Sequence, residues 1–239
     1  MPVVEWKKEG TIAILTMTNG ENRHNPTFIN DFLAAFDEIE ADESIRAVIL
    51  ASDNPKSWSQ GVDLDWMMGV LQRQELEAIK EFMYGLNKIF SKLLLFPMPV
   101  IAEINGHTFG DGVMMACACD FRFMKSDRGY FCLPEVDINI PLLPGMQAVV
   151  KKAMPYYKFT EIVLSGKRFG AKELEKDHVI VKACTDQEDL RKETLAFAEK
   201  FNKQRPIFGE IKLRMNQHVL DVFENDDPPY IETAQLLKM

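Results

Sequence analysis

Two stretches of the chain, VILASDNPKSWSQGVDL and VIAEINGHTFGDGVMMA, share one layout: a short apolar strand, a loop with glycine, and the start of a helix. The layout bears on chemistry because the first amides of a helix lack intrahelical partners and point at whatever lies ahead. Two such helix ends facing one point would hold an oxyanion from both sides. Each turn alone also has a plainer reading, since strand–glycine–helix is a common way to reverse a chain. Nucleotide-phosphate sites do not fit. No G-K-[ST] follows either turn, and G-x-G-x-x-G is absent.

The elements that must position these turns are legible in outline. VVEWKKEGTIAILTM alternates like a hairpin with Gly10 near its turn. TFINDFLAAFDEIEADE puts Phe28, Phe32, Ala35, Phe36 and Ile39 on one helical face. IRAVILAS and MPVIAEING are short buried strands, and two helices are expected between them, from about Leu64 to Leu95. After the second turn a helix-length apolar run begins. FRFMKS and YFCLPEVDI read as further short strands, and PLLPGMQAVVKKAM opens another helix. Strands and helices alternate up to about Met154; beyond it the chain reads as mostly amphipathic helix. The expected class is therefore α/β, with residues 1–154 as a core and 155–239 as a C-terminal helical region.

Composition narrows the function classes. The 239 residues are 46% hydrophobic and carry a net charge of −8, with acids scattered rather than blocked. That balance supplies a sizeable core and argues against general nucleic-acid binding. The four cysteines form no C-x-x-C and read as buried thiols of a reducing compartment, here expected to be the cytoplasm. The four histidines are dispersed, so no metal site is expected. The N-terminus lacks a signal-peptide layout, and no stretch reads as transmembrane. The terminal LKM only loosely matches a peroxisomal tripeptide and is treated as chance.

SWSQGVDL, PVIAEINGHTFGDGVMMACACDFRF and LPEVDINIPLLPG, in this order and spacing, resemble the crotonase superfamily, the enoyl-CoA hydratase and isomerase group. LSGKRFGAKELEKDHVIVKAC is similar to that family's later segment. The likeness covers roughly residues 3 to 185. It implies a spiral of β-β-α units followed by helices that build a homotrimer, often paired into a hexamer. It implies an acyl-CoA thioester as substrate, no separate cofactor, and an enolate held by two backbone amides. Carried onto this chain, those amides belong to Val62, after Gly61, and to Asp111, in the family's triple-glycine turn. Gln60, Gly61, Asp63, Gly110, Met114 and Trp58 are then candidate substrate-binding positions.

The resemblance also implies a base. Family hydratases use two glutamates; here the second stands as Glu135 in the PE segment, while the first position is Met114, whose thioether carries no proton at neutral pH. Hydration needs water activated and carbon protonated. Moving a double bond from the 3,4 to the 2,3 position needs only one carboxylate in an apolar pocket that raises its pKa. The one-glutamate pattern is similar to the Δ3,Δ2-enoyl-CoA isomerase branch, and that is the expected activity. The alternatives are an enoyl-CoA hydratase, with Asp137 or a bound water replacing the missing glutamate, and a non-catalytic acyl-CoA-binding protein. Asp137 would share a face with Glu135 on an extended segment, although closing the turn before Pro141 is the favoured role.

Three further positions depart from or qualify the pattern. The Asp111 carboxylate would repel an oxyanion, so only its amide can serve; its side chain is expected to cap the following helix or to meet another subunit. Asp63 is expected to brace the first turn. Met67, Met68, Met114 and Met115 are expected as core or acyl-pocket lining, which suits methionine's adaptable shape.

Overall fold

The structure is a computed structural model that describes residues 2–233. The C-terminal tripeptide lies outside the described residues.

The chain opens with a hairpin, β1 (Val4–Glu9) and β2 (Ile12–Met17), paired antiparallel from Val4↔Met17 to Glu9↔Ile12. Next come β3 (Arg23–His24), α1 (Pro26–Ala41), β4 (Ala47–Ser52), β5 (Ser57–Ser59), β6 (Gly61–Val62), α2 (Leu64–Gln72) and α3 (Leu76–Leu95). They are followed by β7 (Val100–Ile104), β8 (His107–Phe109), α4 (Asp111–Ala118), β9 (Phe121–Lys125), β10 (Phe131–Cys132) and α5 (Pro144–Lys152). The remainder is α6 (Tyr156–Ser165), α7 (Ala171–Lys176), β11 (Lys182–Cys184), α8 (Gln187–Ala198), α9 (Arg205–Asn225) and α10 (Pro228–Glu232).

The strands sort into layers that explain the repeated layout. A six-stranded sheet runs β1-β2-β4-β7-β9-β11, a three-stranded sheet runs β10-β8-β5, and β3 pairs with β6. Each turn of the spiral gives one strand to the large sheet and the next to the small one: β4 then β5, β7 then β8, β9 then β10. Among the described residues, the pairings between named strands after the hairpin are all parallel. Parallel strands need crossovers, and the helices supply them. The central strands are covered on both faces, so β4 and β7 read as near-continuous apolar runs rather than alternating ones. The segment after Met154 is largely helical, yet it returns β11 to the edge of the large sheet. Among the described residues no helix is long and apolar enough to cross a membrane.

Helix α1 forms where the sequence placed it. Asn25 accepts a hydrogen bond from the Phe28 amide at 3.1 Å, and Pro26 sits at the first helical position. Its inner face carries Phe28, Phe32, Ala35, Phe36 and Ile39, all buried. Phe28 stacks on Phe32, Phe32 meets Phe36 at a tilt, and Phe36 meets Phe96 edge-on at 4.9 Å. This wall locks α1 over the large sheet and holds β3, just ahead of it, beside β6.

One expectation is corrected. Only Phe131 and Cys132 of YFCLPEVDI form a strand. PEVDI is a tight turn, in which the Pro134 carbonyl accepts from the Asp137 and Ile138 amides at 2.9 and 3.2 Å. Val136 and Ile138 imitate a strand's alternation but are exposed. Proline before them leaves β10 with no amide to continue its ladder.

Candidate active site

The two glycine turns pack directly against each other. Gly61 adopts φ +76°, a conformation that disfavours any side chain. A methyl group there would lie 2.6 Å from the Phe109 carbonyl oxygen and 2.8 Å from the Asp111 amide nitrogen. The absence of a side chain is therefore what lets β6 approach the start of α4. The first amides of α4 lack helical partners, because the earliest helical bonds there are those of Val113 and Met114 to the Gly110 carbonyl.

Both turns open into one cavity of about 380 Å³. Gln60 and Val62 line it from the first turn, Gly110, Asp111 and Met114 from the second, and Glu135 from the PEVDI turn. Apart from Arg23, its remaining wall is apolar, with Met67 from α2, Met83 from α3 and Met146 from α5. A larger, shallower groove of about 830 Å³ lies between α1, α3 and α9, away from both glycine turns.

Glu135 stands against the second turn: a methyl group on Gly110 would lie 3.2 Å from its Oε1. The residue as a whole is half-buried, but Oε2 is shut off from solvent and has no hydrogen-bond partner. Burial pushes the carboxyl up from its ordinary 4.5 to about 7, and the Asp111 carboxylate acts in the same direction. A carboxyl balanced near neutrality can both take and return a proton.

Other candidate positions fall outside the cavity wall. Trp58 is fully buried in the core and donates its indole N–H to the Leu50 carbonyl at 3.2 Å. Asp63 caps α2 by accepting from the Trp66 amide at 3.1 Å, and it also accepts from the Asn25 side chain at 3.1 Å. It thus ties the starts of α1 and α2 together. Asp63→Ala is expected to cost about 1–2 kcal/mol, read as a lower denaturation midpoint. Asp137 is exposed and lies against Gly166 rather than beside Glu135. Met115 is wholly core, whereas Met68 is exposed.

Asp111 differs from the expectation of a helix cap. Its side chain makes no capping bond to α4. Instead Oδ2 lies 2.5 Å from Nδ1 of His24, and His24 Nε2 lies 2.9 Å from the Ser59 hydroxyl. All three side chains are buried. His24 was not identifiable from sequence: it stands 87 residues from Asp111, and parallel pairing of β3 with β6 brings it there.

Comparison with known proteins gives a consistent picture. A sequence profile described as enoyl-CoA hydratase/isomerase matches residues 7–225. "Enoyl-CoA delta isomerase 3" of Arabidopsis thaliana is 32% identical over 173 residues, covering 70% of this chain and 71% of that protein. "Short-chain-enoyl-CoA hydratase" of Clostridium acetobutylicum is 33% identical over 138 residues, covering 56% of this chain and 50% of the relative. Among solved structures, an enoyl-CoA hydratase/isomerase family protein from Pseudomonas syringae superposes with a TM-score of 0.87. It is 22% identical, with 96% of this chain and 97% of that one covered, which establishes the shared fold.

Proposed function

The chain belongs to the enoyl-CoA hydratase/isomerase family, and from that premise we propose that it is a Δ3,Δ2-enoyl-CoA isomerase working with a single carboxylate. The observation that carries this reading is the pairing of Glu135 with Met114 on one cavity wall. A carboxyl raised to about 7 faces a site where the second carboxylate of a hydratase is replaced by a thioether.

The steps follow from the groups present. With a 3-enoyl thioester in the cavity, the Glu135 carboxylate takes a proton from C2. The C–H electron pair moves toward the thioester carbonyl, whose oxygen gains negative charge. The amides of Val62 and Asp111 donate to that oxygen. They are backbone groups fixed before the substrate arrives, so little reorganisation accompanies the charge. The protonated Glu135 then gives its proton to C4, the double bond settles between C2 and C3, and the carbonyl reforms. Substrate and product have the same atoms, and no co-reactant or cofactor is required. The methionine-rich wall suits a flexible acyl chain. Assembly into a trimer or hexamer belongs to the same reading. It is supported by the exposed apolar Ile207, Ile211 and Met215 on α9, and sedimentation measures it.

A second reading, hydration, has one observation in its favour: Asp111 brings another carboxyl to the cavity wall, and its Oδ1 has no partner. Offering the protein a 3-enoyl-CoA and a 2-enoyl-CoA in parallel separates the two. The isomerase reading expects conjugated enoyl absorbance to appear with the first and to persist with the second. Loss of absorbance from the 2-enoyl-CoA would establish hydration instead.

The proposed base must be ionised to act. On the 3-enoyl-CoA, kcat/KM is therefore expected to rise with pH, level off above about 7, and fall roughly tenfold per pH unit below it. A flat profile between about pH 5 and 9 would remove Glu135 from the role.

A further inference from the structure

Asp111 carries one of the two proposed amide donors, so its buried carboxyl lies just behind the oxygen on which the proposed reaction builds negative charge, and an uncompensated charge there would oppose that reaction. The hydrogen bonds behind it settle how it is compensated. The Ser59 hydroxyl has one hydrogen to give. Its oxygen lies 2.8 Å from the Asn22 carbonyl oxygen, which can only accept, and it receives the Gly61 amide at 3.1 Å. The serine hydrogen is therefore committed to Asn22, and the 2.9 Å contact with His24 Nε2 requires the ring to donate. The 2.5 Å contact between Nδ1 and Asp111 Oδ2 must also contain a hydrogen, since facing lone pairs would repel. The pair thus holds two hydrogens and has zero net charge, as imidazolium and carboxylate or as imidazole and carboxylic acid.

The surroundings support this count. The imidazole stacks on Phe28 from α1, with centroids 4.4 Å apart and planes at 17°. Its other polar contacts come from Asp111 on α4 and Ser59 on β5. The neighbouring Arg23 is turned to Glu21 at 2.8 Å, and Asp63 is engaged with Asn25 and the Trp66 amide. Among the described residues, no ionisable group other than Asp111 is hydrogen-bonded to the ring. The relay also reaches the first turn, because the same Ser59 oxygen accepts from Gly61, the residue before Val62.

Resting on the enolate reading above, we propose that His24 is a positioning residue. With Asp111 and Ser59 it forms a charge-neutral relay that cancels the carboxylate beside the oxyanion site and fixes both glycine turns around it. The relay couples side chains from β3, β5 and α4, so it sets the relative placement of the two amide donors as well as the local charge.

Two measurements test this. Nitrogen-15 NMR of the histidine rings, with His24 assigned by its loss in His24→Gln, reads the proton count without any substrate. A protonated Nε2 at neutral pH is expected; an unprotonated Nε2 would overturn the relay whatever reaction the protein performs. Kinetics on a 3-enoyl-CoA then read the consequence. His24→Leu leaves the Asp111 charge uncancelled and is expected to lower kcat on the order of 10²-fold with little change in KM. Adding Asp111→Asn removes the charge and is expected to restore kcat to within about tenfold of the unaltered protein. Should His24→Leu fail to fold, His24→Gln keeps a donor without positive charge and is expected to lose kcat similarly. A single variant with full activity, or a double variant no better than the single, would overturn the proposal. If the unaltered protein turns over no enoyl-CoA, the enolate reading fails, while the NMR result still decides the relay.

Discussion

Glu135→Gln is expected to lower turnover of a 3-enoyl-CoA by about 10³-fold or more while leaving the protein folded and, above pH 7, more stable. General acid–base catalysis by a positioned group contributes about 10²–10⁴ in rate. Here one carboxyl both removes and returns the proton, so its loss affects both steps. The gain in stability follows from the same burial. The carboxyl holds its proton up to about 7 in the folded protein, against an ordinary value of 4.5. Between those limits the folded state binds more protons than the unfolded one, so stability falls as pH rises from 4.5 through about 7 and stays lower above. The full difference bounds the cost of the buried charge at about 3 kcal/mol. Glu135 is only half-buried, and solvent screening brings this to about 1–2 kcal/mol. Glutamine fills the same space without the charge. Thermal unfolding at pH 8 and at pH 5 should therefore show a gain at the higher pH and little at the lower. An active Glu135→Gln protein would refute the proposed base, and an unchanged melting temperature at pH 8 would refute the buried charge.

Gly61→Ala is expected to damage both the fold and the chemistry. The backbone is at φ +76°, and the added methyl would meet the Phe109 carbonyl and the Asp111 amide at 2.6 and 2.8 Å. These neighbours are backbone, so no side chain can swing aside. Relief requires β6 to move away from the start of α4, which parts the two amides proposed to share one oxygen. Losing one such donor costs on the order of 10²- to 10³-fold in kcat. Strained backbone and overpacking add about 2–4 kcal/mol of destabilisation. Calorimetry and steady-state kinetics on one sample measure both. Activity within a few-fold of the unaltered protein would show that the turns need not touch.

Much of the scaffold was legible because its signals are local. The hairpin around Gly10, the five-residue apolar face of α1 and the paired strand–glycine–helix turns each follow from residues close in sequence. The site was less legible, for specific reasons. Val136, Ile138 and Ile140 alternate as a strand would, yet they sit on a turn closed by the Pro134 carbonyl, and Ile138 and Ile140 line the cavity mouth. Asp137 would share a face with Glu135 only on an extended segment, and that turn carries it away. Trp58 could border a ligand or fill a core with the same sequence around it, and only packing distinguishes the two. Of the two roles expected for the Asp111 side chain, capping its own helix or meeting another subunit, the first is a local signal; its partner His24 comes from a strand far away in sequence. Long-range parallel pairing leaves no periodic trace in either segment.

In the proposed reaction a single carboxyl carries a proton from one carbon of the acyl chain to another. A 3-enoyl-CoA deuterated at C2, converted by the protein and examined by mass spectrometry and NMR, tests it most directly. The expected product is a 2-enoyl thioester of unchanged skeleton with part of the deuterium at C4, the remainder exchanged with solvent. A product heavier by one water, or no conversion by a folded protein that binds the thioester, would contradict it.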